Sequence, residues 1–154
     1  MREAFGPPFF VMGLNKSKNR RVALVTADQW FSRYIRLRDA DKAGNCECVT
    51  CGTTKPYTSM DAGHFMSRRY LSTRFHEQNV HAQCVKCNQY GAGEQYIHGI
   101  RIRQKYGDQV LEEIIQQKER LTKYSKEELM SMAREYKKKY EHECRKKDIE
   151  RIYK

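Results

Sequence analysis

The chain has 154 residues, room for one ordinary domain with an appended arm, and 39% hydrophobic against 32% charged residues allows only a compact or stapled core. Thirty Lys and Arg against nineteen Asp and Glu give a formal charge of +11, which favours a polyanionic partner because neutralising phosphates releases condensed counterions. No run approaches the roughly 18 apolar residues of a membrane span, and Met1–Val11, broken by Gly6-Pro7-Pro8, lacks the apolar stretch of a signal peptide. The expectation is a soluble, cytoplasmic protein with no membrane association.

In chain order, residues 1–25 read as an irregular basic arm carrying Lys16, Lys18, Arg20 and Arg21, with Val22–Val25 as a short strand. Thr26-Ala-Asp-Gln29 has the form of a capping box. It would open a helix over residues 27–40, with Trp30, Tyr34 and Leu37 on one face, Phe31 and Ile35 beside them, and Ala43-Gly44-Asn45 as its end. From Cys46 to Gly93 no helical period survives; short strands are expected at Met60–Met66 and Asn79–Gln83, then a short helix opening near Cys84. Helices return over 94–106, stopped by Gly107, and over 108–120. Ser125-Lys-Glu-Glu128 is a second capping box, opening a helix with Leu129, Met132, Ala133, Tyr136 and Tyr140. The division is an arm at 1–25, a central domain at 26–120 and a basic helical arm at 121–154.

Five of the six cysteines fall in two clusters. Cys48-x-x-Cys51, followed by Gly52, and Cys84-x-x-Cys87 have the spacing at which one tight turn presents two thiolates to a tetrahedral zinc. The plainer reading is two pairs of packed thiols. Four thiolates close the coordination shell, so this zinc would be structural and would hold together a module with little core. Cys46 competes with Cys48 at poorer spacing, and Cys144 is expected to be a free thiol.

Between and around the knuckles lie Asp61-Ala-Gly-His64 and Asn79-Val-His81-Ala-Gln-Cys84-Val-Lys-Cys87-Asn88. Phosphodiester hydrolysis needs a base for water and a hard cation to stabilise charge on the phosphate and the leaving oxygen. A neutral histidine suits the first task, and amide or carboxylate oxygens suit magnesium. His64 and Asn88 supply both kinds of group.

The order of His64, of Asn79 five residues before the second Cys-x-x-Cys, and of Asn88 directly after it resembles the HNH endonucleases, phage endonuclease VII among them. Asp61-Ala-Gly-His64, Arg74-Phe75 and the stretch from Asn79 to Cys84 are most similar to the lambdoid phage Rap (NinG) recombination endonucleases, from about Trp30 to Ile115. The resemblance implies an α+β fold: a zinc-knuckled ββα-metal (HNH-like) core flanked by helices. It implies a phage endonuclease of the host cytoplasm that hydrolyses branched DNA such as Holliday junctions with magnesium, for which manganese can substitute. His64 would be the general base, Asn88 a magnesium ligand and Asn79 the brace of the loop that orients His64. Many HNH enzymes carry a metal-binding residue immediately before the base, where this chain has Gly63; Asp61 could bind the metal directly or through water. His81 either touches phosphate or hydrogen-bonds inside the hairpin.

Arg68, Arg69, Arg74, Lys86, Arg101 and Arg103 form the expected DNA-binding set, against the plainer reading of a solvated basic face. His76 and His98 are expected at the surface, and Tyr90 and Tyr96 are expected to pack. Symmetric cleavage of a four-way junction needs two active sites, so a homodimer is expected. The alternatives are a non-catalytic zinc-ribbon DNA-binding protein and an HNH nuclease with a linear duplex target.

Overall fold

A computed structural model describes residues 9–153, with side chains from Lys18 onward; Gly6-Pro7-Pro8 and the Lys16 side chain lie outside the described residues. Helix α1 runs unbroken from Phe9 to Arg38. This replaces the irregular backbone, the 22–25 strand and the cap at Thr26. The Thr26 hydroxyl donates back to the Val22 carbonyl at 2.9 Å, a bond made inside a helix. Val22 and Val25 are exposed while Ala23 and Ala27 are buried, so the apolar stretch is two faces of one helix. The helix also crosses the division drawn between residues 25 and 26.

After α1 come β1 (Asn45–Glu47), β2 (Thr54–Pro56), β3 (Met60–His64), the one-turn α2 (Leu71–Arg74), β4 (Val80–Cys84), a wide π-type turn at Lys86–Tyr90, α3 (Gln95–Tyr106), α4 (Asp108–Gln117) and α5 (Lys126–Lys147). The fold is mixed α+β, mostly helical, with two small antiparallel sheets, β1–β2 and β3–β4. Gly107, at φ 93°, separates α3 from α4 as expected. The Ser125 box is formed in full: Ser125 Oγ accepts from Glu128 N at 3.1 Å, and Glu128 Oε2 accepts from Ser125 N at 2.7 Å.

Helices α1 and α5 form the largest interface between elements. Ala23, Ala27, Trp30, Phe31, Tyr34 and Ile35 meet Leu129, Ala133, Tyr140 and Cys144, each set buried at helical spacing. Phe31 sits at the centre, edge-on to Tyr136 (4.8 Å) and Phe75 (5.5 Å). The C-terminal end of α1 is closed by α5: Lys147 Nζ donates to the carbonyls of Leu37, Arg38 and Ala40. Leu37 and Arg38 are in the last turn of α1, where carbonyls lack intrahelical partners and the helix dipole is negative. A smaller core of Phe65, Met66, Ile102, Leu111 and Ile114 lies beneath α3 and α4.

The β3–β4 hairpin is also held by residues at the end of α1 and by the first knuckle. Arg38 donates to the carbonyls of Glu77 and Val80 at 2.8 Å, and Asp39 Oδ2 accepts from Ala82 N at 2.8 Å. From the first knuckle, Val49 N donates to Ala82 O at 3.0 Å. The register pairs Met60 with Cys84 and His64 with Val80, so the strand that ends in the second knuckle lies beside the strand that ends in His64.

Candidate functional site

Cys48, Cys51, Cys84 and Cys87 bring their sulfurs within 4.8 Å of one another. A tetrahedral zinc with bonds of about 2.3 Å places its sulfurs about 3.8 Å apart, and the Cys51–Cys84 sulfurs are 3.8 Å apart. The four cysteines could therefore hold a structural metal such as zinc. Gly52 makes the first knuckle turn at φ 76°, its N–H donating to Cys48 O at 2.9 Å. Cys84 N points at Cys48 Sγ (3.3 Å), and Thr50 and Thr53 hydroxyls lie 3.3 Å from Cys48 and Cys51. The hydrogen bond with Thr53 helps pull the Cys51 thiol down to about 6. Cys87 goes up to about 12: a bond with Thr50 lowers it, but burial and the thiols of Cys51 and Cys84 outweigh that pull. Four thiols packed this closely cannot all ionise without a cation among them. Cys46 does not compete. It is buried, its thiol donates to Arg36 O at 3.0 Å, and desolvation pushes it up to about 12. Cys144 is a free, buried thiol.

Beside the cluster is a cleft of about 550 Å³, lined by Asp61, His64 and Asn88, with Asp28, Ser32 and Arg68 along one side and Gln89 and Gln95 along the other. The structure thus brings together four of the residues singled out, Asp61, His64, Asn88 and Arg68. Asp61 Oδ2 accepts from Asn88 Nδ2 and Gln89 Nε2, both at 2.9 Å. The carboxylate, from β3, is tied to the turn after the last cysteine. Asp61 and Asn88 together offer oxygen donors of the kind a hard divalent cation takes. The wide turn at Lys86–Tyr90 matters here, because it carries Asn88 back toward β3 directly after Cys87.

His64 Nε2 lies 2.9 Å from Arg74 O and Nδ1 lies 3.3 Å from Ala62 O. A neutral ring has one N–H, and the shorter contact assigns it to Nε2, leaving the Nδ1 lone pair as the base. Burial pushes the imidazole down to about 4, against the pull of the Arg74 carbonyl, so the ring is neutral near pH 7.

Asn79 is fully buried and braces the β3–β4 loop. Its Oδ1 accepts from Met66 N at 2.7 Å, and its Nδ2 donates to Met66 O and Thr73 O at 3.0 Å. Replacing Asn79 by Ala leaves three buried backbone groups without these partners. It should destabilise the protein by about 2–4 kcal/mol in a urea titration; a loss under about 0.5 kcal/mol would show that the brace is dispensable. Gly63, which pairs with His81 next to His64, has a steric reason: an added Cβ would lie 2.1 Å from Gln83 Oε1. Gln83 is itself fixed, donating to Thr50 Oγ1 and Gly93 O.

Other residues fall elsewhere. His81 lies on the far side of the hairpin, bonded at 3.1 Å to both His98 Nε2 and Tyr106 OH, and lines a different depression with Arg101. His98 is fully buried, against the surface position expected, because α3 carries it inward to meet His81. Tyr90 and Tyr96 are 84% and 79% exposed rather than packed; they flank a loop whose Ala92, Gly93 and Glu94 all have positive φ, a conformation that keeps both rings off the core. Of the basic set, Arg68 lines the cleft and Arg69 lies beside it. Arg74 is held internally, by Asp28 Oδ1 at 2.8 Å and by Arg68 O at 2.7 Å. Lys86 lies beside the cysteine cluster and Arg103 pairs with Asp108. Asp28 and Ser32, on the polar face of α1, and Gln89 were missed; the i, i+4 spacing of the first two is the signal that could have found them.

Fold and site define a mixed α+β protein in which a four-cysteine site, fit for a structural zinc, adjoins a polar cleft. The family model described as Bacteriophage Lambda NinG protein matches residues 12–147, and the chain belongs to that family. Protein ninG of Escherichia phage lambda is 32% identical over 108 residues, 65% of this chain and 50% of that protein. Protein ninG of Salmonella phage P22 is 30% identical over 133 residues, 81% of this chain and 63% of that protein. The chain thus spans about half the length of the lambda relative. No solved structure matches it. Among the described residues no helix is long and apolar enough to cross a membrane.

Proposed function

We propose that this chain is a metal-dependent DNA endonuclease of the HNH (ββα-metal) type, hydrolysing phosphodiesters in branched DNA such as Holliday junctions. One observation carries the reading: a neutral imidazole, a carboxylate and a carboxamide face one polar cleft, His64 and Asp61 from one strand and Asn88 from the turn after the last cysteine. The hairpin, its bracing asparagine and the wide turn correspond to the ββα arrangement. The branched substrate rests on the resemblance to the Rap (NinG) endonucleases. Such a substrate, cut symmetrically, would engage two copies of the chain.

His64 Nδ1 takes the proton of the attacking water. The Nε2–H bond to Arg74 O holds the ring in the competent tautomer, and the Nδ1–H then formed has the Ala62 carbonyl 3.3 Å away. Arg74 is a positioning residue: its guanidinium, fixed by Asp28, anchors the turn that presents this carbonyl. Asp61 and Asn88 would hold magnesium, which when bound supplies charge stabilisation at the phosphate and the leaving oxygen. Gln89 keeps the Asp61 carboxylate oriented toward Asn88. Arg68, at the cleft wall, contributes charge to the binding of the strand.

The test is cleavage of linear, nicked, flap and four-way substrates with magnesium and then with EDTA, for wild type and His64→Ala. The variant should lose at least about 10²-fold in cleavage rate, the low end for a general base, while binding DNA in magnesium-free buffer as wild type does. Undiminished cleavage by His64→Ala would remove the base assignment. Binding without cleavage by the wild type would favour a zinc-bearing DNA-binding module.

A further inference from the structure

The cleft does not end at Arg68. Asp28, Ser32 and Arg68 also line an adjoining depression of about 700 Å³, whose rim is completed by Arg33, Arg36, Arg69 and Arg74. Five arginines there face one carboxylate, Asp28, and Asp28 is already bonded by Arg74. Among the described residues Arg33, Arg36, Arg68 and Arg69 have no acidic partner. Arg33 is nonetheless held in place, its guanidinium 4.6 Å from the Trp30 ring and 4.4 Å from the Tyr153 ring. Stacking fixes the plane of the group and leaves its edge N–H groups to accept an anion. Arg69 is fixed in the same way, 4.7 Å over Tyr70. Arg36 uses Nε on the Ser32 carbonyl and Nη1 on the Tyr57 and Met60 carbonyls, and retains the donors of Nη2.

We infer that this depression is a second phosphate-binding subsite, in which Arg33, Arg36 and Arg69 take backbone phosphates of the same nucleic-acid strand whose scissile bond faces His64. The inference rests on the proposed nuclease reading for the direction of the strand, and on the arginine geometry alone for the ligand. Asp28, Ser32 and Arg36 lie on one stripe of α1. The stripe is about 12 Å long at 1.5 Å per residue, the length of roughly three steps of a duplex strand at 3.4 Å of helix axis each. Arg68, common to both depressions, is the hinge between the two subsites. Planar guanidinium groups suit phosphate oxygens, and among the described residues their charges have no counter-charge from the fold beyond Asp28.

Binding of a labelled single-stranded oligonucleotide, followed by fluorescence anisotropy in magnesium-free buffer without chelator over a range of salt, tests this without any need for cleavage. Arg33→Gln/Arg69→Gln should weaken binding about tenfold and flatten the slope of log K against log salt by about 1.4, or about 0.7 for each lost contact. Arg134→Gln, at an exposed position of α5, should behave as wild type. If loss of the Arg33 stack unfolds the double variant, Arg69→Gln alone, in an exposed loop, should still flatten the slope by about 0.7. Affinity and slope equal to wild type in the arginine variants would overturn the inference. A flattened slope in a protein that never cuts would uphold it and sink the nuclease reading instead.

Discussion

Replacing Cys84 by Ser, or stripping the metal with a strong chelator, is expected to melt the β3–β4 hairpin and the cleft while α1 and α5 remain paired. The two knuckles come from separate segments, and β4 ends in Cys84. One metal would therefore join the first hairpin, β4 and the turn bearing Asn88. Structural zinc sites in small modules have apparent binding free energies of about 10–16 kcal/mol near pH 7, as large as the about 5–15 kcal/mol that holds most domains. The hairpin has two strands of five residues each, too little to stand alone in water. The α1–α5 seam has direct ring contacts between the two helices, Trp30 with Tyr140 and Phe31 and Tyr34 with Tyr136, and is closed by Lys147. Hydrogen exchange measures the difference. Amides of residues 60–64 and 80–84 should lose protection in Cys84→Ser, and amides in the middle of α1 and α5 should keep most of theirs. Metal analysis should find one zinc per chain in wild type and in Cys46→Ser, whose site is elsewhere. Full hairpin protection in the metal-free protein would end the structural role of the cluster.

Acid should unfold the protein steeply. His64, His81 and His98 are pushed to about 4, 3 and 4, in each case first by burial, which disfavours the imidazolium. These values lie below the ordinary imidazole value of about 6.5. The unfolded chain therefore takes up protons that the folded chain refuses, and stability is intact above about pH 6.5 and falls as pH drops toward 4. Three such groups give a slope of up to about 4 kcal/mol per pH unit near pH 5. His81 and His98 share one hydrogen bond, and His98 Nδ1 has no partner in the described structure, so a second proton on His98 finds no ready acceptor. Loss of zinc from its thiolates adds to acid lability, so the diagnostic quantity is a difference. Urea titrations between pH 7 and 4.5 should give His98→Gln a slope shallower than wild type by about one proton, close to 1.4 kcal/mol per pH unit. Identical slopes would show that His98 carries its proton in the folded state.

The clustering of the four cysteines, the two central strands within two residues of their ends, and the helices after Glu94 were legible from the residues alone. Each depends on local chemistry: ligand spacing set by one turn, alternation along a short strand, a glycine stop or a capping box. The brace at Asn79 came from a motif resemblance. The first third of the chain misled. Val22, Val25 and Thr26 have the β-branched character of a strand or cap, and nothing nearby reports that α5 buries Ala23 and Ala27 against them. A helix of 30 residues stabilised by a partner about a hundred residues later is a tertiary fact.

The same distinction governs the site. His64, Asp61 and Asn88 carry their chemistry in their identities, but the cleft they share exists because β3 and β4 pair in one register and a wide turn follows Cys87. His81 sits in the same motif and faces away, since neighbouring strand residues alternate between faces. Arg74 reads as a phosphate grip until Asp28, 46 residues earlier, occupies it. Composition alone makes the chain basic, and spacing alone sets out a four-thiol site. Which arginines stand free, and which histidine lines the cleft, is decided by long-range hydrogen bonds and by burial. Those depend on where distant segments come to rest, a quantity that no short window of sequence contains.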